Sequence, residues 1–369
     1  MKRIVICADG TWCDPDQADP RTGRRRPTNV TKVARAVLPR AGDGTNQVVF
    51  YHDGIGTQGL VDHLLGGAFG HGVGRNICDL YRFVVYNYVA GDEIHLFGFS
   101  RGAFTVRSLA GFMHRFGLIE KDDDFYVPDI FACYERRQGV GSPMWTKIFK
   151  NIRGTRPCPP IRFVGVWDTV GALGAPGLLG QLVDSKKYYR YHEVGLHAAI
   201  ENACQALAID ERRRPFAPSI WRRPHGWRGA LEQAWFPGDH SNVGGGLDPD
   251  GLANEALHWM VEKAEGVGLE FDAAYLAQYA PCFNSRLEDP LTLGFRLLGT
   301  ETRALGRHAA DGEAVHQSAI DRMDLAECRY HPANLEAALE RMRIVTTTRV
   351  IRGRPCHDLR DPVWARAAA

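Results

Sequence analysis

Glu93-Ile94-His95-Leu96-Phe97-Gly98-Phe99-Ser100-Arg101-Gly102-Ala103-Phe104-Thr105-Val106 is the stretch on which the fold turns. Its first seven residues are rich in apolar and aromatic side chains, and short enough to be a buried strand. From Arg101 to Phe116 the apolar residues recur at helical spacing. Ser100 stands between the two periods, with a glycine two residues away on either side. Glycine at both places leaves room for a sharp strand-to-helix turn that lifts a side chain clear of the backbone.

The pattern repeats outward. Strands are expected over 3–8, 47–52, 93–99, 162–167 and 233–236. Helices are expected over 28–38 (with Pro39 as the stop), 75–88, 101–116, 193–208 and 252–264. Strand and helix alternating at this spacing predict an α/β fold, a mostly parallel sheet with helices on both faces. Residues 121–160 break the alternation and read as an inserted, cap-like segment of a core spanning 1–268. Residues 269–369 read as a C-terminal appendage packed on that core, with a helical pattern over 334–343.

Composition excludes several classes. With 44% hydrophobic residues and a formal net charge of +2, the chain reads as neither a nucleic-acid binder nor a disordered polymer. The nine cysteines form no C-x-x-C pair, so they read as reduced thiols rather than zinc ligands. The apolar run at 3–8 is too short for a signal-peptide core, and no stretch reaches the length of a membrane span. A cytoplasmic protein, or one exported without a cleaved signal, is expected.

In open α/β sheets, ligands gather at the carboxyl ends of the strands. Asp9-Gly10-Thr11-Trp12 follows the first strand, Asp53-Gly54 the second, Ser100 the third, Asp168-Thr169 the fourth and Gly238-Asp239-His240 the fifth. Ser100, Asp168 and His240 thus follow in the chain order of α/β-hydrolase triads. A serine hydroxyl is a weak nucleophile until a base takes its proton. His240 is the candidate base, and Asp168 the group that fixes its tautomer. The oxyanion needs two N–H donors. Arg101 supplies the first candidate, and Gly10 or Thr11 the second. His316 is the rival base; Asp239 and Asp53 are the rival acids.

Other motifs compete. Gly54-Ile55-Gly56-Thr57-Gln58-Gly59 matches a dinucleotide fingerprint, but no helix of good length follows at once. The Asp9-Gly10-Thr11 loop is similar to that of haloacid dehalogenase phosphotransferases, yet Cys7 stands where their nucleophilic aspartate belongs. The glycine-rich run 66–74 lacks the lysine of a phosphate loop and suits a lid or close-packed backbone. Leu60, Leu64, Leu65 and Phe69, and then Leu173, Leu178, Leu179 and Leu182, suit an acyl chain by composition. Asp210-Glu211-Arg212-Arg213-Arg214 reads as a surface charge cluster or an anion contact, and Asp248 with Asp250 as a weak metal candidate. No cofactor and no metal is expected, because a triad needs neither.

Several stretches together carry a resemblance. They are Asp9-Gly10-Thr11-Trp12, Thr28-Asn29-Val30, Tyr51-His52-Asp53-Gly54-Ile55-Gly56-Thr57, Gly98-Phe99-Ser100-Arg101-Gly102-Ala103, Gly165-Val166-Trp167-Asp168-Thr169-Val170, Ala206-Leu207-Ala208-Ile209-Asp210-Glu211-Arg212 and Trp235-Phe236-Pro237-Gly238-Asp239-His240-Ser241-Asn242-Val243-Gly244-Gly245-Gly246. With Tyr330-His331-Pro332-Ala333-Asn334-Leu335 they span roughly residues 1 to 340. The chain resembles the uncharacterised α/β-hydrolase domain family that includes the group 1 type VI secretion lipase effectors. That resemblance implies a triad on Ser100, Asp168 and His240, and phospholipase activity on bacterial membrane lipids. Asn242 stands where many members carry Asp, and residues 269–369 are fewer than the large membrane-anchoring region those effectors carry.

The expected function is a serine hydrolase of carboxylic esters, with a lipid or phospholipid acyl ester as substrate. A soluble esterase or thioesterase, or a hydrolase-fold binding protein without turnover, are the alternatives. The expected partners are the substrate and a peripheral membrane contact, with no nucleic acid, and with room for an immunity or secretion partner.

Overall fold

In chain order the strands are β1 (Lys2–Ala8), β2 (Asn46–His52), β3 (Glu93–Phe99), β4 (Leu118–Ile119), β5 (Thr155–Arg156), β6 (Ile161–Trp167), β7 (Asn202–Ala208), β8 (Ala230–Phe236), β9 (Glu313–His316) and β10 (Arg343–Val345). In the computed structural model β4 and β5 pair with each other, antiparallel. The other eight form one parallel sheet in the order β2-β1-β3-β6-β7-β8-β9-β10. The structure describes residues 1–10, 13, 16, 18, 23–54, 68–171, 194–287, 289–291, 295–296 and 299–348.

Both faces of the sheet are apolar because its strands alternate two apolar sets. Ile4, Ile6, Ile94 and Leu96 pack on one side; Val5, Cys7, Phe97 and Phe99 pack on the other. Helices α1 (Asn29–Ala36), α2 (Ala68–Asn87), α3 (Arg101–Phe116), α4 (Val127–Glu135), α5 (Pro143–Phe149), α6 (His240–Gly244) and α7 (Gly251–Glu265) cover them. α2 and α3 lie on the Ile94 side, α1 and α7 on the Phe97 side. Thr28 starts α1 as an N-cap, its hydroxyl accepting the Thr31 N–H at 3.1 Å.

Strand order reverses between β1 and β3: the chain leaves β1 for β2 on one side and returns to β3 on the other. The segments that leave the carboxyl ends of β1 and β3 therefore run to opposite faces of the sheet, towards α1 and α3, and the crevice between them is where this architecture places ligands.

Residues 121–160 form a 3-10 turn (Lys121–Tyr126), α4, α5 and β5. Their aromatic residues pack along the later turns of α3. Phe131 and Tyr134 pack on Phe112, and Trp145 packs on Phe116 at 5.0 Å. Ser100 precedes the first turn of the same helix, at its opposite end.

Two expectations about elements are corrected. Residues 202–208, read as the end of a helix, are β7, hydrogen-bonded between β6 and β8. Asn-Ala-Cys-Gln-Ala-Leu-Ala has helix-forming composition, but burial between two parallel neighbours overrides that propensity. The expected helix over 334–343 is two short turns, Ala333–Glu336 and Leu339–Arg341, followed by β10. β9 and β10 extend the sheet beyond β8, and Val315 of β9 packs in a core with Leu207, Trp235, Leu305 and Leu335.

Cys7, Cys13, Cys78, Cys133, Cys158, Cys204 and Cys328 are not joined in disulfides. Cys282 is disulfide-bonded, which departs from the expectation of reduced thiols throughout. Among the described residues, no helix is long and apolar enough to cross a membrane, and no group of three His, Cys, Asp or Glu could hold a metal ion.

Candidate active site

Ser100 sits at the turn from β3 into α3 with φ of +57°. A β-carbon on Gly98 would come within 2.7 Å of the Ala103 backbone, and one on Gly102 within 2.1 Å of Ala8 O. Only glycine fits at either place, so α3 can start hard against the end of β1. The Ser100 N–H donates to Trp167 O at 3.0 Å and ties the turn to β6.

Asp168 follows β6 directly and also has positive φ, +40°. Among the described residues only two other non-glycine residues share this conformation, Arg137 and Arg329. Such strained backbone is held in place only where the surroundings over-determine it. The Asp168 N–H donates to Ala206 O at 2.7 Å, and its carboxylate is fully buried. Oδ1 accepts the Ala208 N–H at 3.1 Å, and Oδ2 bonds His240 Nδ1 at 2.6 Å.

His240 is the first residue of α6, a five-residue helix that Asp239 caps. Asp239 Oδ1 accepts the N–H groups of Ser241 and Asn242, and Asn242 Oδ1 accepts the Asp239 N–H. This capping box fixes where the imidazole starts. The ring lies against Phe99, centroids 4.6 Å apart, and meets Phe216 edge-on at 5.0 Å. Phe99 adjoins Ser100, so this packing brings the base to the serine's strand end. Among the described residues, Ser100 Oγ and His240 Nε2 have no hydrogen-bond partner.

Around the oxyanion candidates the picture is mixed. The Arg101 N–H opens α3 beside Ser100. Gly10 lies against the serine: a β-carbon there would be 3.3 Å from Ser100 Cβ. Its N–H, however, donates to Asp9 Oδ1 at 2.7 Å. Asp9 is buried and also accepts from Thr28 (2.5 Å), Thr31 (2.9 Å) and Tyr51 (2.9 Å). Burial pushes its carboxyl above the usual range. Thr11 lies outside the described residues.

The rivals stand elsewhere. His316 is buried against Phe236 and bonds Ser318 and Thr347. Asp239 is the cap, its carboxyl raised to about 6 by burial. Asp53 is exposed past the edge strand β2. Asp250 is taken by the buried Lys32 at 2.7 Å. Most of the 54–59 loop and Leu60, Leu64, Leu65, Leu173, Leu178, Leu179 and Leu182 lie outside the described residues, while Gly70, Gly72 and Gly74 fall within α2.

The 210–214 charge cluster is scaffolding for the histidine loop at its acidic end. Asp210 accepts the Gly238 N–H at 2.6 Å and Tyr330 OH at 2.8 Å. Glu211 accepts the His240 N–H at 3.3 Å and pairs with Arg213 at 2.6 Å. One residue of the site had no signal in the sequence. Arg303 Nη1 donates to Asp168 Oδ1 at 2.5 Å, and Nη2 to Asp168 Oδ2 at 2.9 Å. Burial alone would raise the Asp168 carboxyl; the Arg303 charge and the His240 bond more than reverse this and hold it well below the usual range.

With this geometry in view, one comparison decides the family. The model of the type VI secretion phospholipase effector Tle1-like catalytic domain matches residues 2–263. The chain belongs to the Tle1-like catalytic domain family. An uncharacterised Saccharomyces cerevisiae protein, YEL023C, is 30% identical over 236 residues, covering 58% of this chain and 32% of that protein. Among solved structures, an uncharacterised Pseudomonas aeruginosa protein is similar with TM-score 0.48 and 14% identity, over 81% of this chain and 49% of that one. A Tle1 effector bound to the VgrG spike of the type VI secretion system is similar with TM-score 0.38 and 19% identity, over 66% and 51%. The chain thus spans a third to a half of the length of these relatives. Ser100, Asp168 and His240 fall inside the Tle1-like match; Arg303 falls outside it.

Proposed function

We propose that the chain is a serine hydrolase that cleaves carboxylic esters, with lipid or phospholipid acyl esters as its substrates, through an acyl-enzyme on Ser100. His240 Nε2 takes the Ser100 proton as Oγ attacks the ester carbonyl, and Asp168 stabilises the imidazolium that results. The Arg101 N–H is one donor to the oxyanion. The Gly10 N–H can reach it only by leaving Asp9 Oδ1. Collapse expels the alcohol, protonated by His240, and water then releases the acyl group by the reverse proton path.

The observation that carries this reading is the pairing of a buried aspartate with His240 Nδ1 at 2.6 Å, beside a strained serine turn that needs glycine on both sides. Membership of a phospholipase effector family supports the acyl-ester substrate.

A fluorophosphonate probe tests the nucleophile: wild type labels and Ser100→Ala does not. Equal labelling of the two would sink the proposal. On phospholipid vesicles beside short p-nitrophenyl esters, turnover on the vesicles is expected. Turnover of soluble esters alone would restrict the chain to a soluble esterase. A membrane contact and a secretion-related partner belong to the same proposal, and vesicle flotation and co-purification test them.

A further inference from the structure

Asp168 is a fully buried anion whose partner His240 becomes a cation only after taking the Ser100 proton. Between turnovers the carboxylate needs another countercharge, because an uncompensated buried charge is too costly to keep. Arginine is suited to that place: it stays protonated, and its planar fork matches both carboxylate oxygens.

Arg303 meets Asp168 in that way, Nη1 on Oδ1 and Nη2 on Oδ2. Its two remaining contacts fix the plane of the fork: Nη1 also donates to Ala208 O at 2.8 Å, and Nη2 to Phe216 O at 2.7 Å. The backbone of Arg303 is held in turn, its carbonyl accepting from Asn334 Nδ2 at 3.0 Å, and Asn334 reaches back to Ile209 O at 3.3 Å. Arg303 itself is 5% exposed.

We infer that Arg303 is a positioning residue of the triad: its fork keeps Asp168 ionised and turned so that Oδ2 faces His240 Nδ1. The inference rests on the Ser100–His240–Asp168 reading of the site. It also makes residues beyond the family's matched domain part of the catalytic unit.

Removing the Arg303 charge has a sign. Arg303 shares Oδ2 with His240, so without it the Asp168–His240 pair holds its proton more tightly. The acidic limb of the kcat/KM profile then moves to higher pH. Among the described residues, the other charged groups facing the pair are Glu211 and Arg213 on the loop after β7 and Asp239 on the loop after β8. The substitution leaves them unchanged, and Phe99 and Phe216 pack on the imidazole.

The test compares Arg303→Met and Arg303→Lys with wild type on a p-nitrophenyl ester across pH, with active sites titrated by fluorophosphonate. Arg303→Met is expected to raise the acidic limb by about one pH unit. Its kcat per titrated site is expected to fall about ten- to hundredfold. Arg303→Lys keeps the charge but not the fork, so its limb stays near wild type while kcat falls. A merely structural arginine would give fewer titratable sites with unchanged kcat and an unmoved limb, and that result overturns the inference. Should Arg303→Met not fold, wild-type kcat per site in Arg303→Lys overturns it equally. The triad reading fails on a different result: Ser100→Ala as active as wild type, whatever Arg303 does.

Discussion

At the scale of single residues, fourteen histidines offer candidates for a base, and the partners of the ring nitrogens separate the two that matter. His316 is enclosed, stacked 4.4 Å from Phe236, with both ring nitrogens bonded to hydroxyls. Burial pushes it down to about 3, so it is a neutral packing group. His240 has one nitrogen bonded to Asp168 and the other without a partner among the described residues. The two substitutions should therefore part company. His240→Ala is expected to lose about four orders of magnitude or more in kcat on an ester substrate, with the fold retained by circular dichroism. His316→Ala is expected to keep wild-type kcat per titrated active site while its melting temperature drops. A loss of kcat in His316→Ala equal to that in His240→Ala would contradict the assignment of the base.

The short helix α6 shows what an element contributes that its residues alone do not. Five residues cannot hold a helix by propensity. The Asp239–Asn242 box supplies the missing order, and Glu211 takes the N–H of His240 itself. Asp239→Ala should cost about 1 kcal/mol of stability, the usual worth of a cap. It should also lower kcat more than it raises KM, because the imidazole loses its fixed starting point; steady-state kinetics beside a urea melt would measure both. An unchanged kcat would mean that packing on Phe99 and Phe216 suffices. Elements also mark the limit of sequence reading. β1, β3, β6 and β8 are legible because runs such as Ile4-Val5-Ile6 and Phe163-Val164-Gly165-Val166 are apolar on both faces. β7 is alanine-rich and announces a helix. β9 and β10 have four and three residues, too few for any period to show. Ser100, Asp168 and His240 can be listed from the sequence because each follows a legible strand. Arg303 cannot, since it lies in an irregular stretch and reaches Asp168 across 135 positions of sequence.

Across the whole molecule, the matched domain and the residues after it share one sheet and one site, and they also share a charge conflict. Glu255 on α7 is half-buried and faces Asp321 on the helix Gln317–Asp324. Burial first, and then the Asp321 charge, raise its carboxyl to about 8. The sign follows from linkage. Below about pH 4.3, the unfolded glutamate value, folded and unfolded chains both carry the proton and the site is neutral in its effect. As pH rises, the unfolded chain releases the proton and the folded one keeps it until about 8, so stability is lost progressively through that window. Glu255→Gln keeps the shape and removes the proton exchange. Its stability relative to wild type should therefore be near zero or slightly negative at pH 4.5 and grow steadily with pH up to about pH 8. Urea midpoints at those two pH values measure it. If the difference between variant and wild type stays constant with pH, Glu255 ionises as an ordinary surface carboxylate and the junction between α7 and the C-terminal helix carries no such conflict. If it grows as described, alkaline pH should loosen first the side of the molecule from which Arg303 reaches Asp168, and the rate of fluorophosphonate labelling should fall before the helical circular dichroism does.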